Sequence, residues 1–144
     1  MRRNSFFYLV AAVLICSSCH KNAPDSVLED FFEENILDKT FIITFANSDG
    51  NDITAQYADY NFVLKKGSDY YHGPLQVTRG ISNYTGTWSS NSDYSQLVID
   101  LPHPPEEFIF LSNKWKFTSK GLPVLKFALW VSTGNPVELY MKRL

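Results

Sequence analysis

From Lys39 to the end of the chain, apolar residues recur at every second position. Phe41, Ile43 and Phe45 share one face of a first run, and Asn47-Ser48-Asp49-Gly50-Asn51-Asp52 follows as a dense turn cluster. An Asp-Gly step between alternating runs is a strong hairpin signal. Tyr60, Phe62 and Leu64 share the next face, then Leu75 and Val77 in a weaker run around 70–78. Tyr84, Gly86 and Trp88 come next, followed by Leu97, Ile99 and Leu101, stopped by Pro102-His103-Pro104-Pro105. Beyond the looser stretch Glu106 to Asn113 lie Trp115 and Phe117, then Leu125, Phe127 and Leu129, then Val137, Leu139 and Met141. About eight short β segments separated by turn residues predict an all-β barrel or sandwich, not a parallel α/β sheet.

Before Lys39 the period is that of a helix. Val27, Leu28, Phe31 and Phe32 fall on one helical face, with Glu29, Asp30, Glu33 and Glu34 elsewhere. Ser26 and Glu29 have the spacing of a capping box, and acids in the first turns suit the helix dipole. The pattern predicts one short helix over about 26–36 and no second one. Asp25-Ser26-Val27 also fits a short O-glycosylation pattern, but the cap explains the same residues with a mechanism.

The N-terminal residues read as an address. Met1-Arg2-Arg3-Asn4-Ser5 is a basic start, Phe6 to Ile15 is apolar throughout, and Cys16-Ser17-Ser18-Cys19 supplies small residues ending in cysteine. That is the layout of a bacterial lipoprotein signal, with cleavage after Ser18 and lipid on Cys19. The apolar run is ten residues long, about half of what a spanning helix needs. An ordinary secreted protein and a retained anchor are the competing readings. The expected division is a signal peptide at 1–18, a lipidated tether at 19–25, and a folded domain at 26–144. The implied address is the cell envelope, with the membrane contact made by acyl chains at the outer membrane of a Gram-negative bacterium.

Processing changes the charge. Loss of residues 1–18 takes Arg2 and Arg3 from the 13 Lys+Arg and leaves all 15 Asp+Glu, a net −4. Such a balance gives no general reason to expect nucleic acid. Residues 20–59 hold most of the acids, from Asp25 to Asp59, and residues 112–144 hold Lys114, Lys116, Lys120, Lys126, Lys142 and Arg143 against Glu138. Either the two ends of the domain lie together and complement one another, or the basic end serves an anionic ligand.

Several segments, in order, carry a resemblance. They are Tyr60-Asn61-Phe62-Val63-Leu64-Lys65-Lys66-Gly67, Gly86-Thr87-Trp88-Ser89, Leu97 to Leu101, Leu111-Ser112-Asn113-Lys114-Trp115, and the final Leu139-Tyr140-Met141 before Lys142-Arg143-Leu144. They resemble the small lipocalin-like domains carried by bacterial lipoproteins, over roughly residues 39–144. The resemblance implies an eight-stranded antiparallel up-and-down barrel and a small apolar ligand. The Gly-x-Trp motif of lipocalins sits on the first strand, whereas Gly86-Thr87-Trp88 is mid-chain, so the family's Trp–Arg pair is not carried over to Arg143.

Little else points to chemistry. His20, His72 and His103 lack ligand spacing, so no metal or other cofactor is expected. Asn47-x-Asp49-x-Asn51 departs from a calcium loop, with Gly50 at its fourth position and Ala58 at its twelfth. Glu106 and Glu107 are adjacent and on a strand would face opposite ways. The sequence thus predicts no enzyme and no catalytic residue. Aromatic richness remains: of 3 Trp, 8 Tyr and 11 Phe, only Phe6, Phe7 and Tyr8 precede Cys19. Tyr60, Phe62, Trp88, Trp115 and Phe127 would line a pocket for a small hydrophobic or amphipathic molecule in an open barrel. In a filled barrel they are core, and the outside would serve a protein or glycan partner.

Overall fold

Alternating apolar side chains need two environments, and the chain provides them by rolling one sheet into a closed barrel. The computed structural model describes residues 25–132 and 134–144. The stretch read as a signal peptide, Cys19 and the expected tether up to residue 24 lie outside the described residues. Nine strands follow a helix α1 (Asp25–Asn35): β1 (Thr40–Ser48), β2 (Asn51–Asp52), β3 (Asn61–Leu64), β4 (His72–Arg79), β5 (Ser82–Ser90), β6 (Gln96–Asp100), β7 (Lys114–Ser119), β8 (Val124–Leu129) and β9 (Glu138–Arg143). A second, one-turn helix α2 spans Phe108–Leu111. No described helix is long and apolar enough to cross a membrane.

Each strand from β3 onward pairs antiparallel with its successor, and β1 pairs with β3 on one side and β9 on the other. The result is an eight-stranded up-and-down barrel, with β2 only the return arm of a hairpin on β1. Asp49 and Gly50, at φ 53° and 87°, form that hairpin's turn. Both central residues therefore take the left-handed region that favours Asp-Gly. The expected pairing of first and last strands is present, running from Phe41 opposite Arg143 to Asn47 opposite Glu138. Closure leaves neither long strand as an exposed edge.

The inward residues are those the alternation marks, except on β1, where a register shift between Ile43 and Phe45 turns Ala46 inward and puts Phe45 outside against Tyr140, not on the face of Phe41 and Ile43 as expected. Phe41 and Ile43 on β1, Leu75 and Val77 on β4, Leu97 and Ile99 on β6, Leu125 and Phe127 on β8, and Leu139 and Met141 on β9 are all buried. Gly86 belongs to the inward set of β5 because nothing larger fits. A Cβ there would stand 2.1 Å from the backbone oxygen of Asp100. A glycine inside a strand commonly marks such a close backbone approach.

Two expectations are corrected. The looser stretch Glu106 to Asn113 contains α2, which one turn is too short to announce by periodicity. The charged ends, although adjacent through β1 and β9, do not neutralise one another by direct pairing. Lys142 stands opposite Ile42, while Asp38 and Glu33 pair with Lys65 and Lys66 at 3.1 and 2.7 Å.

Candidate functional site

The barrel's inside is the first place to look for a site, and both of its mouths are plugged by aromatic rings. Helix α1 crosses the mouth formed by the end of β3, the start of β4 and the ends of β5, β7 and β9. Its Phe32 is fully buried and stacks on Tyr94 with ring centroids 4.0 Å apart. Trp88 lies 6.3 Å and Phe117 6.1 Å from the same ring. Polar ties hold the helix in place. Lys66 pairs with Glu33, the Tyr71 hydroxyl donates to the Glu29 carboxylate, and Arg143 donates to Asn35 Oδ1 at 3.2 Å. The hydrophobic face read from the sequence thus serves as a stopper.

At the opposite mouth α2 does the same. Phe108 packs on Tyr60 and Tyr84, with centroids 5.5 and 5.1 Å apart, and Phe110 packs on Tyr57 and Trp115 at 6.1 and 5.2 Å. The polar tips of this group converge on one acid. Tyr60 donates to Glu107 Oε1 and Tyr57 to the Glu107 carbonyl, each at 2.8 Å. Arg79 lies over the Tyr60 ring at 4.8 Å and 3.7 Å from the Glu107 carboxylate. Burial pushes the Tyr57 hydroxyl well above the usual tyrosine range, with the Glu107 charge adding to it. Tyr60 moves the same way for the same two reasons, partly countered by Arg79. Both phenols therefore stay protonated as donors, clamping the 102–107 loop and α2 over the mouth.

The five residues singled out from the sequence all sit inside. Tyr60, Phe62, Trp88, Trp115 and Phe127 are each at most 1% exposed. They divide between the two ends. Tyr60 and Phe62 are neighbours at 6.1 Å at the α2 end, where Trp115 packs on Phe110; Trp88 belongs to the α1 end, and Phe127 packs on Phe117 at 4.5 Å. Both indole N–H groups are consumed within the fold: Trp88 donates to the Lys65 carbonyl at 2.8 Å and Trp115 to the Leu111 carbonyl at 3.0 Å. Trp88 also lines an open depression of about 510 Å³, with His72, Pro74, Thr85 and Thr87 around it. Sequence reasoning missed the plugs, Phe32, Phe108 and Phe110, and the clamp of Tyr57 with Glu107. Phe32 lay on the apolar helix face, so its burial was legible but its destination was not.

Depressions open to solvent surround the α2 mouth. One of about 470 Å³ is lined by Gln56, Arg79, Glu106 and Glu107. A second of about 500 Å³ runs past Ile53, Ile109, Phe110 and Val137, and shares Asn113 and Leu129 with a third beside Trp130 and Val131. Ile81, at the β4–β5 tip, is 99% exposed at the same end, with Val131 at 69% and Trp130 at 38%. This rim lies at the pole opposite α1. Among the described residues no cluster of His, Cys, Asp or Glu is placed to hold a metal ion.

The outer wall divides by charge. On β7, β8 and β9, Lys114, Lys116, Lys126 and Lys142 point outward, alternating with buried Trp115, Leu125, Phe127 and Met141. On β4 and β5 the corresponding positions are Pro74, Gln76, Thr85 and Thr87. Comparison with family models, curated proteins and solved structures finds no match to this chain.

Proposed function

We propose that the chain is a lipid-anchored, non-enzymatic protein of the cell envelope whose barrel is a solid scaffold, presenting its outside to a protein or glycan partner. The observation that carries this reading is the filled interior. Rings from α1 and α2 enter the two mouths and pack against the aromatic residues that would otherwise line a ligand pocket. An eight-stranded barrel has an interior just wide enough for side chains to fill it. The apolar rim around Ile109, Trp130 and Val131 lies at the pole opposite α1, open to a partner. Exposed apolar surface of this kind marks interaction sites more often than chance. The envelope address is supported by the basic, apolar and small-residue run that ends in Cys19.

Two measurements test the reading. Protein purified from native membranes should carry no stoichiometric small molecule in its mass spectrum, and an apolar fluorescent probe should not bind one to one. Stoichiometric binding that quenches tryptophan emission would instead support the carrier reading that the lipocalin-like resemblance implies. Separately, Cys19→Ala should move the protein out of the membrane fraction while Cys16→Ala should not. Retention of Cys19→Ala with residues 1–18 intact would remove the lipoprotein reading.

A further inference from the structure

We infer that the lysine-bearing wall formed by β7, β8 and β9 rests on the anionic headgroup surface of a lipid bilayer. This builds on the lipid-anchored reading, which places a membrane within reach of the barrel.

The wall's lysines form a connected row. Lys116 stands opposite Ala128, Lys126 opposite Tyr140, and Lys142 opposite Val124. Lys116 and Lys126 are therefore diagonal neighbours across one strand pair, and Lys126 and Lys142 across the next. Diagonal positions lie about 7–8 Å apart, close enough for one charged surface to meet all of them. Each of these lysines is exposed. Among the described residues the ion pairs are Lys65–Asp38, Lys66–Glu33, His72–Asp69 and Arg79–Glu107, so no wall lysine has a carboxylate partner. The one acid on the three strands, Glu138, shares the outward face of β9 as the other diagonal neighbour of Lys126 and accepts from the Tyr140 hydroxyl at 3.3 Å, so the wall sets Lys114, Lys116, Lys126 and Lys142 against a single carboxylate.

Two ordinary explanations for such a row do not apply. Lysines often guard the edge of a sheet against pairing with another chain, but β9 is hydrogen-bonded to β1 and β8 and has no edge. General solubility would scatter charge around the barrel, whereas the outward faces of β4 and β5 carry Pro74, Gln76, Thr85 and Thr87 between their ends. A chain that is acidic overall has gathered unpaired positive charge on one side.

The spaces between the lysines fit the boundary between headgroups and acyl chains. Lys126 Nζ lies 4.9 Å from the Tyr140 ring, and Phe45 packs on that ring at 4.9 Å. Ile42 and Val124 fill the next positions, half-buried. Lysine stems lie along such apolar surface while their ammonium groups reach the phosphates. The acids of α1 lie across the mouth, not on this wall. A barrel lying on its side thus brings the lysines to the lipid without pressing those acids against it.

Protein purified from native membranes and reconstituted into vesicles tests the proposal. Neutral phosphatidylcholine vesicles are compared with vesicles in which a third of the lipid is phosphatidylglycerol. Lysines are labelled with a water-soluble acylating reagent and quantified by mass spectrometry. Labelling of Lys116, Lys126 and Lys142 should fall about threefold or more on anionic vesicles, and molar salt should restore it, because surface attraction is screened. Lys65 and Lys66, away from the wall, should label alike on both. K116Q/K126Q/K142Q should lose the protection of Lys114 that accompanies it. Equal labelling on neutral and anionic vesicles overturns the proposal. So does equal protection by soluble polyphosphate on neutral vesicles, which would assign the wall to a soluble polyanion. Flotation with neutral vesicles reads the acyl anchor by itself, so failure of the anchor and failure of the wall are told apart.

Discussion

Phe32 and Tyr94 stack with 4.0 Å between ring centroids, which fastens the helix that precedes the barrel to the loop that leads into β6. Tyr94 sits at φ 49°, an uncommon conformation for a bulky residue, and its hydroxyl donates to the Tyr70 carbonyl at 3.0 Å. The ring is therefore held from two sides, and the helix cannot leave without exposing it. Phe32→Ala should cost about 3–5 kcal/mol in denaturant unfolding, the range for truncating a buried Phe. Trp88 emission should shift to the red as water enters. An unchanged midpoint would mean that α1 is not part of the cooperative unit.

Gly86→Ala tests why the Gly-x-Trp motif begins with glycine. The added methyl meets the Asp100 backbone oxygen and the Leu101 side chain, and backbone cannot retreat as a side-chain tip can. A loss of about 3 kcal/mol or more is expected, at the upper end of overpacking effects. Gly50→Ala meets no atom within 4 Å but stands at φ 87°, so only conformational strain applies, about 1–2 kcal/mol. Chemical denaturation of both variants should rank them in that order.

Alkaline pH should unfold the protein before its buried phenols ionise. Tyr57, Tyr60 and Tyr94 are raised above the usual value of 10.0, in each case chiefly by burial. A raised folded value means that their contribution is complete below pH 10 and is lost as pH rises toward the folded values. Absorbance at the phenolate band should then show these three rising only together with loss of near-UV circular dichroism. Smooth ionisation of all tyrosines near pH 10, with the fold intact, would contradict the burial argument.

Glu107 separates hydrogen bonding from charge. Glu107→Gln keeps an acceptor for the Tyr60 hydroxyl and should change stability by less than about 1 kcal/mol. Glu107→Ala leaves that hydroxyl unpaired and should cost about 1–3 kcal/mol. Equal effects of the two variants would show that the charge beside Arg79, not the hydrogen bond, holds the α2 mouth closed.

The barrel was legible because burial in a strand follows a strict period of two. Phe41, Leu75, Trp88, Leu97 and Leu139 each fall on the face their neighbours predict. Asp49-Gly50 was legible because few sequences tolerate two left-handed residues in succession. The plugs were not, since nothing in Phe108-Ile109-Phe110-Leu111 distinguishes a single helical turn from a buried strand. Tyr57 was missed because it lies in a four-residue 3-10 turn, Thr54–Tyr57, between strands, where no periodicity operates. The aromatic residues proposed for a pocket were correctly placed indoors. Whether a barrel is hollow, however, depends on what arrives from its ends, which a strand-by-strand reading does not contain. The lysine row was visible as charge at the C-terminal end. That it outnumbers the acids on one outer wall follows only from side-chain direction.

Closure between β1 and β9 also sets when the protein becomes a protein. β9, which completes the sheet, follows every other strand in the chain and pairs with the first, so a chain that stops before β9 cannot close the barrel. High separation between contacting residues slows folding, and here the slowest step is the one that seals both sides at once. Ribosome-bound chains should remain susceptible to proteases and to pairing with each other until Leu139 and Met141 are available. The final segment, Glu138–Arg143, is thus the kinetic latch of the whole domain, and a chain cut short before it should be cleared rather than stored.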